Sequence, residues 1–355
     1  MPDQKFHIGV VGAGLVAQTA HLEGVRKSRS AVLYAICDAA EDLLRRVADI
    51  HRPVTTFADY DAMLADDRVD AVIVAVADEF HAALSIRALE AGKHVIVEKP
   101  MATTVEDAQA MAEAARRNDR IVLVGHEKRY DPGVAFARDF IQDEIGEVIA
   151  LKHWYADSAY RYRMTDTLQP VIESSPAAVR PPGDPKGDRQ RYLVLAHGSH
   201  LFDTARYLGG PIDAVRARLS TRAGSHCWFV EVAFANGCLG HLDLTVAVRM
   251  DWWEGFQVYG AEGSVLGRIF HPWYRRAAEV QAFSTRDALF RQPLGADADV
   301  FRLQVDDLVS AATGGSALRG ADVEDGLACV RGMVALARSV RSGDWVTLAD
   351  VSGDQ

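Results

Sequence analysis

The sequence predicts an α/β protein, with an N-terminal doubly wound parallel sheet followed by an α+β domain on a large, mostly antiparallel open sheet. Three observations predict it. Over the first 125 residues, short apolar runs rich in Val and Ile alternate with stretches of helical period, the pattern of βαβ units. Beyond about residue 147, strand-like segments follow one another with tight turns between them, as antiparallel sheets do. Finally, 355 residues exceed what a single hydrophobic core organises, so residues 1–125 and 126–355 are read as separate domains, with C-terminal helices free to return to the first.

In chain order, the buried strands are Phe6 to Val11, Ala31 to Cys37, Asp70 to Val76, His94 to Val97 and Ile121 to Val124, apolar throughout because both faces are covered. Between them, Glu41 to Ile50 places Leu43, Leu44, Val47 and Ala48 on one helical face. The stretch Phe80 to Glu90 ends near Gly92, a suitable glycine just past a helix. Thr104 is placed to cap a helix running to about Asn118, with Glu106 and Asp107 complementing its dipole. The second domain reads as strands Glu147 to Tyr155, Asp213 to Thr221, His226 to Ala235, Cys238 to Val248, Trp252 to Gly260 and Ser264 to Phe270, then helices near 299–313 and 322–342. The proline- and arginine-rich stretch Ser158 to Arg191 is either an ordered functional loop or subunit arm, or a disordered insertion.

Charge and cysteine usage exclude several classes. With 39 basic against 49 acidic residues, the net charge of -10 leaves no basic face for nucleic acid. No apolar run approaches the roughly 20 residues of a membrane span, and the opening residues lack the pattern of a signal peptide. Cys37, Cys227, Cys238 and Cys329 are scattered, which suits reduced thiols and a cytoplasmic location. His226, His241 and His271 lack ligand spacing, so no metal is expected.

The first strand runs into Gly12-Ala13-Gly14-Leu15-Val16-Ala17, a G-x-G-x-x-A turn between strand and helix. Gly12 permits the tight turn, Gly14 lets backbone N–H groups near Leu15 and Val16 approach a pyrophosphate, and Ala17 allows close helix packing. Asp38 ends the second strand 24 residues after Gly14, where an acid binds ribose hydroxyls. Ala39-Ala40 follows, with no Ser/Arg pair for a 2′-phosphate, so the expected cofactor is NAD rather than NADP.

At Glu98-Lys99-Pro100, preceded by Ala88-Leu89-Glu90-Ala91-Gly92-Lys93-His94, the chain resembles the Gfo/Idh/MocA oxidoreductases, the family of glucose–fructose oxidoreductase and inositol dehydrogenase. Gly125-His126-Glu127-Lys128-Arg129-Tyr130-Asp131-Pro132, His200, Asp203 and Asp325-Gly326-Leu327 extend the likeness along nearly the whole chain. The resemblance implies a Rossmann domain, a second domain often used for oligomerisation, and oxidation of a secondary alcohol on a sugar or cyclic polyol, or its reverse. It also implies that the lysine of Glu-Lys-Pro and an Asp-x-x-x-His pair line the reactive carbon. In this chain His200 stands at the histidine, but Ala196 stands at the aspartate.

Loss of hydride from an alcohol carbon requires removal of the hydroxyl proton. His200 suits that role, and a helix starting near Ala196 would keep its imidazole neutral and basic. Lys99, held extended by Pro100, sits past the carboxyl end of a strand, where it can orient the hydroxyl and stabilise an alkoxide. His197 shares the helical face of His200 and either replaces the missing carboxylate or packs structurally. Ala77, His81 and Glu98 are read on the cofactor side, Glu98 as a group that positions the loop. Arg129 either borders the substrate pocket or makes a structural ion pair. Tyr155 and Asp157, with Tyr160, Arg161 and Arg163, form a cluster suited to sugar hydroxyls or to an acidic group, or else a solvated loop. The sequence therefore predicts an NAD-dependent sugar or polyol dehydrogenase, assembled as a homodimer or homotetramer. A keto-sugar reductase is the alternative direction, and a non-catalytic NAD-binding regulatory subunit the alternative class.

Overall fold

The computed structural model describes residues 5–159, 171–272, 276–295 and 299–352. It divides into two compact units. The first comprises Met1–His126, Gln169–Pro185 and Asp299–Leu327, and the second comprises the remaining three stretches, Glu127–Leu168, Lys186–Ala298 and Ala328–Gln355.

The first unit is built on six parallel strands, β1 (Phe6–Val11), β2 (Ala31–Cys37), β3 (Thr55–Phe57), β4 (Ala71–Val74), β5 (His94–Val97) and β6 (Val122–Val124), in the order β3-β2-β1-β4-β5-β6. The order reverses between β1 and β4, the crevice where doubly wound sheets bind ligands at the strand carboxyl ends. Ile8, Val10, Ile36, Val72, Ile73, Val95, Ile96 and Leu123 are fully buried, which accounts for the continuous apolar runs. The short β3, Thr55-Thr56-Phe57, has no apolar run of its own and forms by pairing with Ala35 to Cys37.

Helices fill the crossovers. A π-helical stretch, Ala17–His21, leads into α1 (Leu22–Lys27), followed by α2 (Glu41–His51), α3 (Tyr60–Leu64), α4 (His81–Glu90) and α5 (Val105–Asn118). The Thr104 hydroxyl accepts the Asp107 N–H at 3.1 Å, the cap its sequence position predicts. Of the long polar stretch, the described residues up to Pro185 group with this unit, and Glu173 and Ser175 are bonded to α2. The Ser175 hydroxyl donates to Asp42 at 2.7 Å and Arg46 Nε donates to Glu173 at 2.7 Å.

The second unit carries nine strands, β7 (Val148–Ser158), β8 (Ile212–Arg222), β9 (Ser225–Phe234), β10 (Leu239–Val248), β11 (Trp253–Gly260), β12 (Gly263–Ile269), β13 (Glu279–Ser284), β14 (Leu289–Arg291) and β15 (Val346–Thr347). Their order is β14-β13-β12-β11-β7-β10-β9-β8-β15. The consecutive hairpins are antiparallel, but β7 inserts between β10 and β11 and pairs parallel with β10. A crossover of this kind leaves no local signal, because a strand's pattern records its faces and not its neighbours. Alternation along β9 buries Trp228, Val230 and Val232 on one face and exposes Phe229 and Glu231 on the other.

Helix α6 (Pro132–Asp143) begins with proline at its first position, behind an Asp131 cap that accepts from Gly133 and Val134 N–H. A single helical run follows the polar stretch: α7 (Arg189–Leu193), a π turn (Val194–Gly198) and α8 (Ser199–Gly209). The run starts at the Asp188 cap, not near Ala196, so Ala196 lies in its interior. Contrary to the sequence expectation, the positive helix end is therefore too far from His200 to act on it.

Candidate active site

In the first unit the glycine turn has the geometry a dinucleotide requires. Gly12 adopts φ +95°, and a Cβ there would lie 2.3 Å from the Ala75 carbonyl oxygen, so glycine is obligatory. At Gly14 an added Cβ would meet nothing within 4 Å, which leaves the backbone approachable. Leu15 and Val16 beside it are 52% and 41% exposed, unusual for large apolar residues at a helix start and consistent with a ligand lying over them. Asp38 Oδ2 accepts the Ala13 N–H at 2.8 Å and Oδ1 accepts the Ala40 N–H at 2.8 Å. A carboxylate has about four acceptor positions, so the ribose hydroxyls can share it. Burial and the neighbouring carboxylates of Asp38 and Asp59 push the Cys37 thiol up to about 12, which leaves it unreactive.

The loop after β5 is clamped from two sides. Glu98 Oε1 lies 2.7 Å from His21 Nε2, and Glu98 Oε2 accepts the Lys99 N–H at 3.1 Å. Burial pushes the Glu98 carboxyl up, but the hydrogen bond from His21, reinforced by the charges of His21, Lys99 and His81, holds it below its usual value. His81 is fully buried, with Nδ1 2.7 Å from the Pro100 carbonyl oxygen and Nε2 3.2 Å from that of Val76. Its ring ties the loop containing Ala77 to the loop containing Lys99. Both ring nitrogens face backbone oxygens, so His81 holds these two loops in place. His21 escaped the sequence reading, since nothing local marks a histidine 77 residues from the carboxylate it meets.

In the second unit four of the expected residues converge. Tyr155 Oη lies 3.1 Å from His197 Nδ1, and His197 Nε2 lies 3.6 Å from Asp157 Oδ2. The Tyr155 ring stacks on His200 with centroids 5.9 Å apart and 15° between planes, and Trp252 meets it edge-on at 4.6 Å. His200 Nδ1 lies 3.8 Å from Glu127 Oε1, both side chains being almost wholly buried. Beneath them, the Lys128 ammonium sits 4.7 Å from the Tyr155 ring centroid and bonds both Glu254 oxygens at 2.8 and 2.6 Å. Glu127, Lys128, Trp252 and Glu254 were not foreseen as site residues. Glu127 and Lys128 lie in the run Gly125 to Pro132, whose signal pointed to other residues, and Trp252 and Glu254 lie outside it.

Arg129 makes the ion pair that was one of its two readings. Its Nε and a terminal nitrogen bond Asp203 at 3.0 and 2.7 Å with both partners buried, and it stacks over Tyr207. Tyr160, Arg161 and Arg163 lie outside the described residues.

Comparison with known proteins accords with this geometry. Residues 6–126 match the family model of the oxidoreductase family with an NAD-binding Rossmann fold, and residues 171–266 match the GFO/IDH/MocA C-terminal domain. The chain is 28% identical over 270 residues to a myo-inositol 2-dehydrogenase of Thermotoga maritima, covering 73% of this chain and 74% of that one. It is 26% identical over 339 residues to a levoglucosan dehydrogenase of Pseudarthrobacter phenanthrenivorans, covering 80% and 78%. A solved levoglucosan dehydrogenase in complex with NADH has the same fold, with a TM-score of 0.80 at 23% identity over 98% of this chain and 100% of that one. With both of its parts matched by models of one family, the chain belongs to the Gfo/Idh/MocA family of NAD-binding oxidoreductases.

Proposed function

We propose that the chain is a dehydrogenase of a sugar, glycoside or cyclic polyol, moving a hydride between nicotinamide and a secondary alcohol carbon. The observation that carries this is a pair of imidazoles, each beside a carboxylate: the buried His200 with Glu127 and the half-buried His197 with Asp157. An imidazole in that setting suits a proton acceptor at neutral pH. The names of the relatives, which act on inositol and levoglucosan, supply the substrate class.

The nicotinamide, when bound, accepts the hydride. Gly12, Gly14, Leu15 and Val16 hold the pyrophosphate and Asp38 the adenosine ribose, which favours NAD over NADP. Lys99 orients the substrate hydroxyl and stabilises negative charge on its oxygen. His200 accepts the hydroxyl proton, and Tyr155, Asp157 and His197 bind neighbouring hydroxyls. Glu98, His21 and His81 hold the Lys99 loop. Run backwards, His200 protonates the alkoxide formed from a ketone. A 1,5-anhydro-D-fructose reductase of Ensifer adhaerens, 28% identical over 269 residues, favours that direction as the second reading.

The test is steady-state kinetics of His200→Ala with polyols, glycosides and their keto forms. General acid–base assistance is typically worth about 10²–10⁴-fold, so kcat should fall at least ~10²-fold while NAD affinity holds. A rise in KM with kcat intact would make His200 a binding group. NAD binding without turnover of any such substrate would favour a regulatory subunit.

A further inference from the structure

The residues Glu173 to Ser175 lie far outside the fingerprint in sequence, yet they are bonded to it. The Gln18 side chain, 5% exposed, donates from Nε2 to the carbonyl oxygens of Ala13 at 2.7 Å and Glu173 at 2.9 Å. Its Oε1 accepts the Glu173 N–H at 2.9 Å. Both amide protons and the carbonyl oxygen are thus engaged, which also fixes which end of the amide is which. Three further bonds seat the strap on α2. Arg46 reaches Glu173 Oε2 and the Ser174 carbonyl at 2.7 Å each, and the Ser175 hydroxyl reaches Asp42 at 2.7 Å. That last bond, with Arg46, holds the Asp42 carboxyl below its usual value. The two peptides that flank the Ala13 α-carbon are consequently both held, the N–H of one by Asp38 and the carbonyl of the other by Gln18.

We infer that the strap Glu173–Ser175 is a working part of the dinucleotide site, acting through Gln18 to hold the Ala13–Gly14 peptide in the orientation the pyrophosphate requires. This rests on the reading of the turn as the cofactor site. Gln18 and Glu173 are positioning residues, since a peptide fixed in advance does not have to be ordered when the ligand binds. Coupling between sites is reciprocal, so a strap that favours cofactor binding must itself be stabilised by the cofactor.

Hydrogen exchange of the full chain with and without NADH tests this, together with NADH fluorescence titration. In the wild type, NADH should slow exchange at Glu173 as well as along Gly12 to Val16. Gln18→Ala should weaken NADH about tenfold, as the loss of one or two buried hydrogen bonds implies, and should abolish the protection at Glu173. Protection of the turn with none at Glu173, or wild-type affinity in Gln18→Ala, would overturn the inference. Absence of protection at the turn itself would overturn the cofactor reading instead. The wild-type exchange comparison decides the matter even if the variant does not fold.

Discussion

His21 and Glu98 make the case for what one buried contact does. The carboxylate has been carried out of water, and the imidazole 2.7 Å away is what compensates it. Because the native pKa of Glu98 is depressed, its contribution to stability is in place above the ordinary value of 4.5 and is lost as pH falls towards the native value. His21→Ala removes the hydrogen bond and leaves burial as the dominant influence, which favours the protonated acid. The stability gap between wild type and variant should therefore widen from about pH 4 to pH 7, reaching ~3 kcal/mol, the cost of orphaning a buried charge. Urea unfolding across that range measures it, and a gap independent of pH would assign the loss to packing. The same substitution should lower kcat, since the Lys99 N–H is anchored on Glu98. None of this was legible locally, because a buried pair is created by two crossovers of the sheet.

The glycine turn and the helix of His200 show how far an element can be read from its own residues. Gly12 and Gly14 were recognisable by spacing, and the structure separates their roles. Gly12→Ala forces a Cβ against the Ala75 carbonyl at a φ that favours glycine, so it should destabilise the protein and abolish NAD binding together. Gly14→Ala meets no protein atom within 4 Å and should leave the thermal midpoint within a degree or two while weakening NAD at least ~10-fold, by occupying the line of pyrophosphate approach. Paired calorimetric melts and cofactor titrations check both. A Gly14→Ala variant with wild-type affinity would show that the ligand lies elsewhere. The helix of His200 was legible as a helix but not in extent. Asp188 starts it 12 residues earlier in the chain, and a π turn at Val194–Gly198 joins its two halves. Such turns recur at functional sites, and this one carries His197.

At the scale of the molecule, the nine-stranded sheet leaves one face with Phe229, Leu239 and Trp253 exposed at 46%, 63% and 42%, among polar neighbours such as Glu231. Among the described residues, no helix is long and apolar enough to cross a membrane. We expect this face to pair with a second copy of the chain. Light scattering at micromolar concentration should return a multiple of the 38.8 kDa chain mass. Phe229→Glu should shift that mass towards the single chain, as an unpaired charge in an apolar contact does. A particle of 38.8 kDa in the wild type would refute the assembly.

The sequence by itself determined the class of both units, the buried strands, the cap at Thr104 and the glycine turn, and it singled out Asp38, Lys99, His200, Tyr155, Asp157 and His197 as candidates. All of these rest on short-range signals: the two-residue and 3.6-residue periods of burial, the conformational freedom of glycine, and motifs a few residues long. Tertiary structure alone decided that β7 lies parallel to β10, that Arg129 belongs to Asp203 and His81 to two carbonyls, and that Gln18 meets Glu173. Each is a pairing between residues distant in the chain. What selects it is the requirement that every polar group removed from water find a partner, and that condition can be evaluated only once the chain has brought the groups together.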